Sequence, residues 1–235
     1  MKIDQVSDSV YAVAGTNVNW ALVTSDAGVT LIDAGYYGDT ADLLKSLGEI
    51  GHDPADVAAV LITHAHLDHI GAIPTLVEKV GMPVYTGAAE VPHARREYLE
   101  QITPKEMLQQ LTYSAGRRWV AQTMIAVRGR MDLKVPSAVS ADDVDLPGRL
   151  TTIATPGHTT GHTAYFLESE GVLFSGDALV TGHPLSPCSG PQILPAFFNQ
   201  DEARTRDSAR LLENHPARTI VPGHGPSIQV NRESA

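Results

Sequence analysis

The sequence predicts an α/β fold of four layers, αββα: two mixed β-sheets lie face to face, with helices on both outer faces. Three observations predict it. Short apolar runs of strand length alternate with stretches whose apolar residues recur at helical spacing. That order occurs twice, strands and then helix in each half of the chain. Each group of strands ends on an acidic turn beside glycine, Asp33-Ala34-Gly35 in the first half and Gly176-Asp177-Ala178 in the second. Such a half covers one face of its sheet with its own helices and leaves the other face for its counterpart.

The elements follow in order. Over residues 9–34, Val10, Ala12 and Ala14 alternate with other types, and Asn17 to Asn19 mark a turn. Apolar runs at 20–23 and 29–32 then flank the hairpin signal Asp26-Ala27-Gly28. Asp39 is placed to cap a helix bearing Leu43, Leu44, Leu47 and Ile50 on one face, which Gly51 and Pro54 end. Residues 57–62 read as a buried strand, and Ile70, Ile73, Leu76, Val77 and Val80 as a helix after it. Residues 82–85 form another short strand.

Residues 88–138 break this rhythm and read as a helical insert beside or over the site, within a single domain spanning 1–235. Thr103-Pro104-Lys105-Glu106 opens a helix there, with Thr103 as cap, Pro104 in the first turn and Glu106 reaching back. Arg95, Arg96, Lys105, Arg117, Arg118, Arg128 and Arg130 outnumber Glu97, Glu100, Glu106 and Asp132. Such a basic stretch can hold an anionic substrate, although a solvated helix face is the commoner outcome. The second half begins near residue 144. Strands follow at 150–154, 163–167 and 172–174, then a Pro- and Gly-rich loop at 182–195, a helix at about 200–214 and a last strand at 217–221.

Composition narrows the functions. The formal net charge of −10 argues against nucleic acid as a partner. With Cys188 the only cysteine, no internal disulfide or thiolate cluster can form. The first residues have neither the basic start nor the apolar core of a signal peptide, and no apolar run can span a bilayer. A cytoplasmic protein acting on a small molecule is the expectation.

The chemistry is concentrated in Thr63-His64-Ala65-His66-Leu67-Asp68-His69, three imidazoles and a carboxylate between a strand and a helix. Pro156-Gly157-His158, Gly176-Asp177 and Pro222-Gly223-His224-Gly225 each add one metal-ligating residue type at a predicted strand end. Together these give His64, His66, Asp68, His69, His158, Asp177 and His224. Imidazole with carboxylate suits zinc, iron or manganese, and seven such side chains are too many for one tetrahedral ion and fit a pair.

In this ordered set the chain resembles the metallo-β-lactamase-fold hydrolases, the superfamily that includes glyoxalase II, the acyl-homoserine-lactone lactonases and RNase Z. The His-x-His-x-Asp-His signature stands at His64 to His69, and the later motifs follow in the family's order. The resemblance covers the whole chain and is weakest over residues 88–138. It implies a site at one edge of the sandwich. It implies that His64, His66 and His158 hold one divalent ion and Asp68, His69 and His224 a second, most often zinc, with Asp177 bridging. Water shared by the two ions would then become the nucleophile, and Asp68 would orient it or protonate the leaving group. Asp33 and His162 are expected behind the ligands, Asp33 on a ligand imidazole.

Departures from family members narrow the substrate. Only residues 225–235 follow the last metal histidine, so the glutathione-binding domain of glyoxalase II is not expected. Val180 stands where the best-known lactonases carry a tyrosine, which counts against lactonase activity. Asp177 counts against a true metallo-β-lactamase. RNase Z carries a long exosite arm that is not evident here. The expected function is hydrolysis of a small ester, thioester or lactone at a dinuclear zinc centre. A mononuclear iron enzyme like the persulfide dioxygenases is the alternative, and a non-catalytic metal-binding protein the third.

Overall fold

The first sheet is assembled in chain order. The computed structural model describes residues 1–230. Its strands β1 (Lys2–Gln5), β2 (Val10–Ala14), β3 (Asn19–Ser25), β4 (Gly28–Ile32), β5 (Val57–Leu61), β6 (Val84–Thr86) and β7 (Ala138–Ser140) lie side by side in that order. The pairs β1 to β4 are antiparallel, as short turns allow. The pairs β4 to β7 are parallel and need crossovers. The crossovers carry α1 (Thr40–Glu49), α2 (Leu67–Ile70), α3 (Ile73–Val80), α4 (Val91–Ala94), α5 (Pro104–Gln109) and α6 (Ser114–Val127). The second sheet has the order β12-β11-β10-β9-β8, with β8 (Thr151–Ala154), β9 (Thr163–Leu167), β10 (Val172–Gly176), β11 (Thr219–Pro222) and β12 (Ile228–Gln229). Helix α7 (Glu202–Glu213) precedes β11.

Side-chain alternation along the strands sorts the apolar residues into separate cores. Val13, Leu22, Leu31 and Val60 turn outward and pack with Leu43, Leu47, Ile73 and Leu76 of α1 and α3. Their chain neighbours Ala12, Ala21, Val23, Ile32 and Leu61 turn inward and meet Tyr165, Leu167, Val172 and Phe174 of the second sheet. Leu173, one residue from Phe174, faces the opposite way and packs with Ala209 and Leu212 of α7. Helix, sheet, sheet and helix therefore stack in the expected four layers.

Two local expectations are corrected. Asp39 does not cap α1 with its side chain. It has helical backbone angles itself, after a tight turn, and its carboxylate instead accepts from Tyr36 N–H at 3.0 Å and Thr16 O–H at 2.6 Å. The helix expected through Ile70 and Val80 breaks at Gly71-Ala72 into α2 and α3. There Gly71 N–H donates to Gly35 O at 2.8 Å, and a Cβ on Gly71 would lie 2.0 Å from the carbonyl carbon of Tyr36. That close approach of two backbones, which only glycine allows, overrides the helical periodicity. The capping box at Thr103 is present as expected, with Glu106 N–H donating to Thr103 Oγ1 and Thr103 N–H to Glu106 Oε2. Strands β1, β7 and β12 were not foreseen, being short pieces defined by their neighbours in the sheet. Residues 231–235, part of the tail after His224, lie outside the described residues.

Candidate metal centre

Strand ends from both sheets deliver the seven side chains to one place. β5 runs into the 63–69 segment, β8 into His158, β10 into Asp177 and β11 into His224. His64 Nε2, His66 Nδ1 and His158 Nε2 face one another at 3.0, 3.1 and 3.2 Å. Asp68, His69 and His224 form a second group, with Asp68 Oδ2 3.8 Å from His69 Nε2 and 3.6 Å from His224 Nε2. Asp177 lies between them: its Oδ2 is 3.4 Å from His158 Nε2 and 3.0 Å from His224 Nε2. Its Oδ1 is 3.5 Å from His69 Nε2. Gly223 permits this, because a Cβ there would fall 2.1 Å from Asp177 Oδ1.

A donor set fits cations only if its lone pairs point inward, and here they do. His69 Nδ1–H donates to Asp33 Oδ2 at 2.8 Å and His158 Nδ1–H to Asn199 Oδ1 at 3.1 Å. His224 Nδ1–H donates to the Asn17 carbonyl at 2.5 Å. Thr63 O–H donates to Asp33 Oδ2 at 2.7 Å, so its oxygen accepts from His64 Nδ1–H at 3.1 Å. In all four rings the outer nitrogen is the one hydrogen-bonded away from the cluster, so Nε2 is the atom that faces the centre, and in neutral His64 and His158 it does so as a bare acceptor. His69 Nε2 and Asp177 Oδ1 are buried with no hydrogen-bond partner. Buried polar atoms left in this state are costly, and two divalent ions would satisfy them.

Electrostatics agrees with that fit. Burial, then neighbouring imidazoles, holds His64 and His66 well below the usual imidazole range, so both rings are neutral, the form that can ligate a metal. His158 is lowered by burial as well. Burial would also lower His69, but Asp33, Asp177 and Asp68 override it and hold its pKa well above the ordinary value. Burial works against ionisation of Asp177 too, yet His224 and His69 keep it strongly acidic. This end of the cluster is a place where positive charge is stabilised.

The expected supporting residues take distinct places. Asp33 has φ +59°, a conformation that Asp tolerates better than most residues, and also accepts Thr63 N–H at 2.8 Å. His162 points its Nε2 at Asp177 N–H, 3.0 Å away, rather than into the centre, and burial lowers its pKa to about 3. Asp68 is the most open member, with a side chain 17% exposed against 3% for Asp177. His52 pairs with Asp56, and His215 packs on the Phe166 ring. His93 lies behind His66, held by Glu90.

The cluster forms the base of a cavity of about 660 Å³, part of it open to solvent. Tyr36, Leu67, Ile102, Met107, Trp119 and Met124 contribute much of the wall, with Leu194, Phe198 and His183 opposite. Among the described residues no Lys or Arg lines it. Four basic residues of the insert are used elsewhere: Arg95 donates to Ala138 O, Arg96 to Leu133 O and Arg117 to Leu111 O, and Arg130 sits over the Tyr37 ring. This placement fits the solvated face given above as the commoner outcome, rather than a hold on an anionic substrate. His183 packs against Phe198 and His224, and burial lowers its pKa to about 3. Burial, then the charge of Asp68, pushes the Tyr36 phenol well above its ordinary pKa, so it stays protonated, a residue of the cavity lining with Thr123 as its side-chain hydrogen-bonding neighbour.

Sequence reasoning missed Glu90, Asn199, Thr63 and the Asn17 carbonyl. The Thr and Asn positions carry no spacing signal, and Glu90 lies in a stretch read for its helices and its basic charge.

Known proteins extend this picture. The family profile described as the metallo-beta-lactamase superfamily matches residues 13–224. A probable metallo-hydrolase, YflN of Bacillus subtilis (strain 168), is 28% identical over 208 residues, spanning 83% of this chain and 74% of that protein. The N-acyl homoserine lactonase AttM of Agrobacterium fabrum is 27% identical over 263 residues, spanning 100% of this chain and 90% of its own. The solved structure of TTHA1623 in a di-iron-bound form superposes with a TM-score of 0.59 at 26% identity, covering 93% of this chain and 92% of that one. With a profile match from 13 to 224 and the two-sheet architecture described above, this chain belongs to the metallo-β-lactamase superfamily and is a metallo-hydrolase of that group.

Proposed function

We propose that this protein hydrolyses a small, largely uncharged ester, thioester or lactone at a pair of divalent ions, most often zinc. The observation that carries the reading is the position of Asp177, whose carboxylate reaches both His158 and His224 and so can be shared between two ions. His64, His66 and His158 would hold one ion, and Asp68, His69 and His224 the other. When bound, such a pair polarises a carbonyl and lowers the pKa of water towards neutrality.

The chain's own residues supply the rest. The apolar wall of Ile102, Met107, Trp119 and Met124 takes the acyl part by excluding water from it. Asp68, partly exposed at the cavity base, accepts a proton from the attacking water and returns it to the leaving group. The Tyr36 phenol donates a hydrogen bond to the oxygen on which charge develops. Asp33, Asn199 and the Asn17 carbonyl hold the imidazole rings at fixed angles, so the donor set need not rearrange.

Two related facts bear on substrate and metal. The relationship to AttM supports a lactone within the proposed class. Val180, which stands in place of the lactonase tyrosine, is fully buried and paired with Gln192 rather than lining the cavity. The di-iron form of TTHA1623 supports iron as an alternative occupant. Metal quantification on freshly purified protein, paired with a panel of esters, thioesters, lactones and persulfides, tests the reading. Two ions per chain and chelator-sensitive hydrolysis are expected. One iron per chain, with oxygen uptake on a persulfide and no hydrolysis, would overturn it.

A further inference from the structure

Glu90 stands behind the centre, not in it. It follows β6 and immediately precedes α4, and it is wholly buried. Its Oε1 accepts from Ala65 N–H at 2.8 Å and from His93 Nδ1–H at 2.6 Å, and its Oε2 accepts from Thr159 O–H at 2.9 Å. Ala65 sits between His64 and His66, and Thr159 follows His158. These two loops leave different sheets, from β5 and β8. One carboxylate therefore clips together the loops that present the three-histidine group.

The clip is itself held. His93 Nε2 accepts from Glu100 N–H at 3.2 Å, which leaves the ring proton on Nδ1, towards Glu90. Tyr98 stacks on the His93 ring. The Glu100 carboxylate turns back to accept Thr160 N–H at 2.7 Å and Thr160 O–H at 2.6 Å. A ring closes through Glu90, His93, Glu100, Thr160 and Thr159. The next residues, Gln101 and Ile102, line the cavity.

We propose that Glu90 is a positioning residue that sets the spacing of the two loops carrying His64, His66 and His158 and ties it to the cavity wall at Gln101 and Ile102. Three donors converge on the carboxylate, so a group with only acceptors is required there. A buried Ala65 N–H, in a loop turned towards a centre, has no sheet partner to replace it. The inference rests on the metal site proposed above.

The test is zinc binding to chelator-stripped, full-length protein, in competition with a chromophoric chelator, alongside thermal melts of the stripped protein. In a His224→Ala background, which leaves the three-histidine end, Glu90→Ala is expected to weaken zinc by about 10–100-fold. In a His158→Ala background, which leaves the other end, the same change should be below about threefold, within the scatter of a distant substitution. Glu90→Gln, which keeps one acceptor oxygen, should fall between. Equal losses in both backgrounds, or none in either, would overturn the proposal. If Glu90→Ala does not fold, Thr159→Val decides: weaker zinc at the three-histidine end supports it and unchanged zinc overturns it. Failure of the dinuclear reading is seen separately, in the wild-type chain: one ion there leaves the Glu90 effect expected, and no ion overturns both.

Discussion

The base and the wall of the cavity are built by opposite means. At the base, polar side chains are buried and almost every outer nitrogen or oxygen has a named partner: Asp33 behind His69, Thr63 behind His64, Asn199 behind His158. The wall from the insert is apolar and in places open, with Met124 50% and Met131 54% exposed. Rigid hydrogen bonding preserves a geometry that must not vary, whereas methionine and other apolar side chains adapt to different shapes. The difference teaches that reaction class and substrate choice reside in separate parts of this molecule. Changes at the base should alter metal content and turnover, and changes in the apolar wall contributed by the insert should alter substrate binding alone.

The sharpest way to break that division is Asp177→Asn. Loss of the shared carboxylate should lower metal content and reduce hydrolysis by about 10³-fold or more, the scale of losing several kcal/mol of charge stabilisation; unchanged content and rate would refute the shared role. Asp33→Ala comes next, with metal affinity about 10–100-fold weaker. It should also lower the melting temperature of the metal-free protein, since Thr63 N–H and His69 Nδ1–H would each lose a buried partner worth about 1–3 kcal/mol. Tyr36→Phe is expected to reduce kcat about tenfold, the loss of one hydrogen bond to a developing charge, with metal content unchanged. A fall in metal content would instead place Tyr36 with the base. Smallest is Ile102→Ala, which should raise KM several-fold for longer acyl chains, at roughly 0.8 kcal/mol per buried methylene, with kcat and metal unaltered.

Removing part of residues 95–130 sharpens the same comparison on a larger scale. Substrate preference should change more than metal content. Lost metal with preference intact would mean that the insert supports the base, and the Glu90–His93–Glu100 ring marks the segment where that support would enter.

The base was legible in the sequence because its chemistry is local and dense. His64, His66, Asp68 and His69 fall in six residues at a strand end, and glycine flanks each later ligand candidate. Strand alternation was legible for a similar reason, since Leu22 and Val23, or Leu31 and Ile32, must face opposite sides whatever the rest of the chain does. The wall was not legible, because charge counts say nothing about direction. Arg95 and Arg96 are close in sequence to the cavity, yet their guanidinium groups satisfy carbonyls of residues 133 and 138.

Residue order alone determined the αββα layering, through strand and helix patterns that occur in both halves of the chain, and also the capping box at Thr103 and the candidate metal-holding side chains, through motifs a few residues long. Tertiary structure decided which partners lock the imidazoles, where the helix after residue 70 breaks, and that the insert offers the cavity apolar rather than basic groups. Those outcomes depend on segments as far as 207 residues apart, such as Asn17 beside His224, and no periodicity or spacing encodes a contact that exists only once both sheets have packed.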